Sequence, residues 1–354
     1  MIRVAALTSG VSVPSSRFRV RQHLTSLKRA GVMVKEYSPM ISKYAGFPGI
    51  PTNITALRYL LFPLYVFWSG LELAVRARGV LGTWKADLTW LERELFPGCL
   101  TWEPLLKRPY VFDVDDSIWI KRPFARSAMI RIARDAEVVL AGNDYIADWF
   151  SAYSKNVKIV PTAIDTERFF PRGSSERASD DPFVVGWTGQ SVGFKYLYNI
   201  EAYLGKFFQD NDAEFWVMAE QHPRFQKIPA EKVRYFQWSP TSEAEFVRKI
   251  DVGIMPLLSS EECRGKCSFK MLQYMSSGVP VIVSPIGMNN DVLKMGQIGY
   301  AARDGKDWYE ALEHLYKNRS LGYNMGDEGR RIVEKFFSRD FISLRLSKIF
   351  HELV

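Results

Sequence analysis

Short runs of β-branched, aliphatic and aromatic residues alternate along the chain with longer stretches of helical periodicity. This is the pattern of parallel strands joined by crossover helices. Ile2–Thr8, Val32–Tyr37, Leu88–Leu91, Tyr110–Asp113, Val138–Ala141 and Val157–Val160 read as buried strands, with a helix predicted over Ser15–Ala30. A second series follows at Phe183–Trp187, Glu214–Met218, Val252–Met255 and Val279–Val283. Between the two series, Arg172-Gly-Ser-Ser-Glu-Arg-Ala-Ser-Asp-Asp-Pro182 has no apolar residue larger than alanine before its closing proline, the composition of a solvated linker. Ser242 with Glu245 predicts a capping box that opens a helix through Arg248. Beyond Gly305 the pattern is helical, and Arg339–Leu353 predicts a terminal helix able to return to the first domain. The expected organisation is α/β. A Rossmann-like domain over residues 1–172 would be followed by a linker at 173–182, a second Rossmann-like domain over 183–338, and the returning helix at 339–354. Two doubly wound domains would place a cleft at the carboxyl ends of their sheets.

Composition narrows this picture. With 354 residues, 47% of them hydrophobic, the chain can bury two cores. Its three cysteines, Cys99, Cys263 and Cys267, have no disulfide-framework spacing, which points to a reducing compartment. The N-terminal MIRVAALTSG reads as a strand and a glycine turn, unlike a secretory signal, so a cytoplasmic location is expected. The net charge of +8 would attract nucleic acid, anionic lipid or phosphorylated small molecules. Neither a zinc-finger spacing nor an RNP-type aromatic motif is present, so no nucleic-acid partner is expected. Leu60–Val75, interrupted by Pro63 and Glu72, is about 16 residues long, short of the roughly 20 that span a bilayer. The wider segment Leu57–Arg78 mixes Leu60, Leu61, Phe62, Leu64, Tyr65, Phe67 and Trp68 with Arg58, Arg76 and Arg78. It is either a core-packed helix or an apolar patch with basic flanks that contacts the anionic inner face of a membrane.

Candidate chemistry concentrates in Arg264-Gly-Lys-Cys-Ser-Phe-Lys-Met-Leu-Gln-Tyr-Met-Ser-Ser-Gly-Val-Pro-Val-Ile-Val-Ser284. Ser268 can cap a helix whose amides and positive dipole face Gly265 and Lys266, forming an anion site reinforced by Lys266 and Lys270. Gly278 then ends the helix in the left-handed conformation. The alternative is an ordinary helix–strand unit with surface lysines. In the first half, Asp113-Val-Asp115-Asp116 closes an apolar strand. Asp115 and Asp116 there either make polar contacts to a ligand or, as hard oxygen ligands, bind a divalent ion. Asn143 and Thr162 also follow strands, Asn143 equally well as a helix N-cap. The four histidines are scattered and Cys263-x-x-x-Cys267 has no second ligand pair, so no metal site and no cofactor are expected.

The segment from Lys266 to Ser284 resembles the donor-site helix of family 4 glycosyltransferases of the GT-B fold. Those enzymes place two glutamates eight positions apart before a small residue, glycine, proline and an apolar strand. Aligned on Gly278-Val-Pro280, the second glutamate falls on Gln273 and the first on Gly265, so Lys-Cys-x-x-Lys-x-x-Gln-Tyr-Met replaces the usual pair, as in a bacterial branch of the family. Gln273 can hydrogen-bond a ribose hydroxyl, because its amide both donates and accepts, and Glu261 and Glu262 lie near enough to substitute for the lost acid. Gly186-Trp-Thr-Gly-Gln-Ser191 with Lys195 resembles the family's first donor-domain loop, with Trp187 where an arginine usually stands. Ser9-Gly10 and Ser15-Ser-Arg-Phe-Arg19 resemble its first loop and helix start.

The resemblance implies retaining, metal-independent transfer of a hexosyl or related sugar from a nucleoside-diphosphate sugar. The acceptor would be a glycan or lipid-linked intermediate of cell-surface polysaccharide. Gly10, Gly189, Lys195, Lys266, Ser268, Lys270 and Gln273 would bind the donor. Arg17, Asp115 and Asp116 would act at the reacting centre, and Ser16, Arg19, Asn143 and Thr162 would face acceptor or phosphate. Rival expectations on the same architecture are a nucleotide-sugar epimerase and a non-catalytic sugar-binding or partner subunit.

Overall fold

The β-branched runs form two six-stranded parallel sheets in a computed structural model that describes residues 1–41, 62–120, 122–173 and 182–354. The expectations placed on Leu57–Leu61, and on residues 174–181 of the linker, lie outside the described residues. The chain divides into two units, one of residues 1–163 with 342–354 and the other of residues 164–341.

In the first unit the strands are β1 (Ile2–Leu7), β2 (Val32–Tyr37), β3 (Leu88–Glu92), β4 (Tyr110–Val114), β5 (Val138–Ala141) and β6 (Val157–Ile159), in the order β2-β1-β3-β4-β5-β6. Register pairs Val4 with Leu88 and Leu7 with Leu91, so the β1 and β3 carboxyl ends emerge side by side. The helix Arg339–Leu353 completes this core. Its Ile342, Leu346, Ile349 and Phe350 join Val4, Trp90 and Val111. Phe350 meets Trp90 edge-on at 5.2 Å, and the Ser347 hydroxyl donates to the Ala30 carbonyl.

The second unit contains β7 (Phe183–Thr188), β8 (Ala213–Ala219), β9 (Val233–Gln237), β10 (Val252–Met255), β11 (Val281–Val283) and β12 (Gly299–Ala301), ordered β12-β11-β10-β7-β8-β9. Aromatic bulk fills its core, with Phe183, Trp187, Phe207, Phe208, Phe215 and Trp308 all buried. The edge strands β9 and β12, which the sequence reading does not single out, have no fully buried residue, and β6, read there as a buried strand, is likewise only half-buried at the edge of its sheet.

Two local expectations are corrected. Ser15–Ala30 is not one α-helix: a π-helical turn over Ser16–Val20 leads through a 3₁₀ turn at Arg21–His23 into Leu24–Arg29. Ser242 does not cap the helix Glu243–Lys249, because its own backbone is already helical and its hydroxyl lies 2.7 Å from that of Ser239.

The C-terminal helix supports a direct test. Phe350→Ala, which empties a fully buried site, should cost about 3–5 kcal/mol in urea unfolding. Leu344→Ala, on the exposed face of the same helix, should stay within about 0.5 kcal/mol. Equal effects would mean the helix is not part of that core.

Candidate functional site

Both sheets reverse their winding next to their first strand, between β1 and β3 and between β7 and β10. An open α/β sheet leaves a crevice beyond the strand ends at such a point. Most candidate residues collect at these two places, and Asp115, Asp116, Asn143 and Thr162 follow β4, β5 and β6 farther along the first sheet.

At the β7/β10 point the helix Phe269–Ser276 is locked across the sheet edge. The Thr188 amide donates to the Tyr274 hydroxyl at 3.1 Å, and the Tyr274 ring lies flat on Gly253 of β10, where a Cβ would stand 2.3 Å from it. Burial pushes the Tyr274 phenol far above its ordinary range, with the Glu243 carboxylate adding to the effect, so the ring stays neutral. This places Lys270 against the loop that leaves β7. A Cβ on Gly189 would meet the Lys270 Cε at 2.5 Å and the Trp187 indole at 2.8 Å. The lysine stem therefore packs against Gly189 beside the Trp187 indole, with Nζ 5.5 Å from the indole centroid. Burial, reinforced by repulsion from Lys266, pulls the Lys270 ammonium down to about 8. Two like charges at one helix start, next to a glycine loop, form a site that an anion would stabilise.

The helix end follows the expected chemistry and its start does not. Gly278 has φ +66°; its amide donates to the Met275 carbonyl, and that of Val279 donates to the Tyr274 carbonyl, which makes a Schellman end. Ser268, expected to cap the start, sits in the left-handed region at φ 50° and does not cap. Its hydroxyl instead donates at 2.6 Å to Asn289 Oδ1, whose amide donates to the Ser284 carbonyl. The first turn is left without a side-chain cap. Gln273 is buried, and its Nε2 has no hydrogen-bond partner. Lys195 is exposed in the first turn of the helix Phe194–Asp210, above the Tyr196 ring. A partner that sequence reasoning missed is Glu220, which accepts from the amide and hydroxyl of Ser191 in the same loop.

At the β1/β3 point, Gly10 is buried at φ 153° and its carbonyl accepts from Arg21. The Ser9 amide donates to Glu92 and to the Ser16 hydroxyl, which itself donates to Glu92 at 2.9 Å. The π-turn separates the two arginines expected to flank one anion. Arg17 is half-buried over Phe18. Arg19 turns inward, pairing with Asp113 at 2.6 Å and donating to the Val160 carbonyl and, at 3.4 Å, to Thr162. Arg19 and Thr162 are thus spent on one another inside the unit. Asn143 caps the helix Asp144–Ser151 through the Ile146 amide.

Asp115 and Asp116 follow β4 half-buried. Asp115 is held by Arg93 at 2.6 Å, and Asp116 accepts from the Ser117 amide. Arg93 was not foreseen, although a charged triplet, Glu92-Arg93-Glu94, directly after an apolar strand is a signal for it. It adopts φ 57°, a conformation that costs a non-glycine residue about 1–2 kcal/mol and that points its guanidinium at Asp115. Among the described residues, no group of three histidine, cysteine or acidic side chains could hold a metal ion.

Residues 183–318 match the sequence profile described as glycosyl transferases group 1. No curated protein matches the chain in sequence. Solved structures similar over the whole chain include Anabaena HepE in complex with UDP and glucose, with TM-score 0.73, 13% identity and 100% of each chain covered. Sucrose-phosphate synthase from Thermosynechococcus elongatus has TM-score 0.70 and 14% identity, covering 100% of this chain and 99% of that one. A glycosyltransferase from Rickettsia africae has TM-score 0.65 and 10% identity, covering 99% and 98%. The chain has the GT-B fold, with two Rossmann-like domains.

Asp113 gives this region a pH signature. Burial raises its carboxyl to about 6 against the opposing pull of Arg19, whereas the unfolded value is 3.8. The folded state therefore holds the extra proton between about pH 4 and 6. The contribution to stability is full below 4 and is lost as pH rises through 6, no more steeply than about 1.4 kcal/mol per unit. In urea unfolding, the wild-type minus Asp113→Asn difference should fall across that window and level off above it. A difference that rises instead would show that the Arg19 pair holds the carboxylate ionised.

Proposed function

We propose that the chain is a glycosyltransferase whose second unit binds a nucleoside-diphosphate sugar, with a UDP-sugar as the first candidate. The observation that carries this reading is Lys270 packed against Gly189 and the Trp187 indole, within the repulsion of Lys266, at the sheet's reversal point and inside the segment that matches the glycosyl transferase profile. UDP bound to the structurally similar HepE supports the choice of base.

The chemistry follows from charge. Cleaving the bond between sugar and diphosphate builds negative charge on the departing phosphate. Lys266, Lys270 and the uncapped first turn of the helix Phe269–Ser276 stabilise that charge where it develops, with no protein nucleophile required. Lys195 adds to the field from the neighbouring loop. The partnerless Nε2 of Gln273 is a ready donor to a ribose hydroxyl. Gly10, Ser16, Arg17, Asp115 and Asp116 on the first unit serve the acceptor. Asp115 already pairs with Arg93, which favours contacts with sugar hydroxyls over a metal site. We read the transfer as retaining and metal-independent, the sugar as a hexose or close relative, and the acceptor as a glycan or lipid-linked intermediate of a surface polysaccharide. We place it in the cytoplasm, in keeping with three free cysteines.

Calorimetric titration with UDP should give binding that Lys270→Ala and Lys266→Ala each weaken by roughly 10–100-fold, the value of a charge-assisted hydrogen bond. Unchanged affinity in both variants would remove the donor-site assignment. UDP release from UDP-glucose only when an acceptor is present would separate transfer from rearrangement of the donor.

The lowered Lys270 value adds a second prediction. Above about pH 8 the free protein loses this proton, so diphosphate must restore it on binding, and affinity should fall as pH rises from 7 to 9. Proton uptake, read from titrations in buffers of different ionisation enthalpy, should accompany binding near pH 8 and vanish in Lys270→Met. Uptake that persists in that variant would assign it to another group.

A further inference from the structure

We propose that the outer face of the helices Phe62–Ala74 and Ala77–Thr83 docks on an anionic lipid surface. The polarity of this helix pair is reversed. A helix on a water-soluble domain buries its apolar stripe and exposes its charges. Here Glu72 and Arg76 are 7% and 5% exposed, whereas Phe67 and Leu81 are each 69% exposed and Trp84 is 63% exposed. The outward positions keep helical phase across the turn at residues 75–76. Leu64, Phe67, Leu71 and Ala74 are followed by Arg78, Leu81 and then Trp84 with Lys85, all exposed. The inward positions Glu72, Arg76, Gly79, Val80 and Thr83 keep the opposite phase and are buried. The seam continues into exposed Leu105, whose carbonyl accepts from the Trp84 indole.

Charge selects the occupant. Glu72 is the one acidic residue between positions 62 and 86, and it points inward, so the outer face carries only the positive charges of Arg78 and Lys85. Leucine and phenylalanine, a terminal tryptophan and flanking basic residues match a bilayer interface. There the apolar side chains enter the acyl boundary while Arg and Lys meet anionic headgroups. A second copy fits worse, because an isologous pairing would set two positive faces against each other. No helix among the described residues is long and apolar enough to cross a membrane, so the contact is one of docking. It stands on this surface alone, independent of the donor-site reading.

The test is co-sedimentation of the full chain, without nucleotide, with large vesicles of phosphatidylcholine alone or with roughly a third phosphatidylglycerol. The protein should pellet with the anionic vesicles and be released in about 0.5 M sodium chloride, where charges are screened within a few ångströms. Phe67→Glu with Leu81→Glu, and separately Arg78→Glu with Lys85→Glu, should each reduce the bound fraction at least about tenfold. Both pairs are exposed, so circular dichroism and Tm should match the parent. The proposal is overturned if the parent stays in the supernatant with every vesicle. It is equally overturned if the Phe67/Leu81 variant still pellets, or if that variant abolishes self-association seen without lipid.

Discussion

A parallel sheet wound by right-handed crossovers can send its helices to both faces only by reversing direction once, and at that reversal the loops diverge. Each sheet of this chain makes the reversal beside its first strand, at β1/β3 and at β7/β10. Whereas Asp115, Asp116, Asn143 and Thr162 follow β4, β5 and β6, the donor-side candidates and Gly10, Ser16 and Arg17 lie at these points. Other features serve to fix the loops there. Tyr274 ties its helix to Thr188 and rests on Gly253, while Glu92 gathers the Ser9 amide and the Ser16 hydroxyl at the end of β1.

The two points differ in how they treat charge. In the first unit, ions are neutralised internally: Arg19 with Asp113, Arg93 with Asp115, and buried Arg76 within the field of Glu92, Glu103, Glu72 and Glu94. Charges paired in this way leave little field for a ligand, although burial still outweighs the pairing at both Asp113 and Arg76. In the second unit, burial and the neighbouring Lys266 both disfavour the charged form of Lys270, which packs against Gly189. Glu243 offsets part of this at Lys270, and a diphosphate placed there would offset more of it. On the proposed reading, this asymmetry suits the second unit to an anionic donor and the first to a hydroxyl-bearing acceptor.

The sequence was legible where one force dominates. Buried strands declare themselves because both faces must be apolar, and Gly278 declares the end of its helix because few other residues tolerate φ near +66°. Misreadings occur where two partners compete for one group. Ser268 and Ser242 are both good caps by residue type, yet Asn289 and Ser239 take their hydroxyls, and neither competitor is close in pattern to a capping motif. Arg17 and Arg19 stand two apart, which cannot reveal the π-turn that sends one to Asp113. The lysines of the Lys266–Gln273 segment were legible by resemblance. The packing of Lys270 against Gly189 was not, since it depends on a strand some eighty residues earlier.

The helix pair after residue 62 shows the same limit in its plainest form. Periodicity reports that a helix has an apolar side and a polar side, but not which side the protein keeps. Leucine and phenylalanine normally settle the matter, because burying them is worth roughly 2 kcal/mol each. Here the inner position is taken by Arg76, which sits among four glutamates with a contact to the Thr8 carbonyl. Once that buried network claims the charged side of the helix, Phe67, Leu71 and Leu81 have nowhere to go but out. The exposed seam is therefore a consequence of the electrostatics at the end of β3, and substitutions that loosen the Arg76 cluster should disturb the seam before they disturb the sheet.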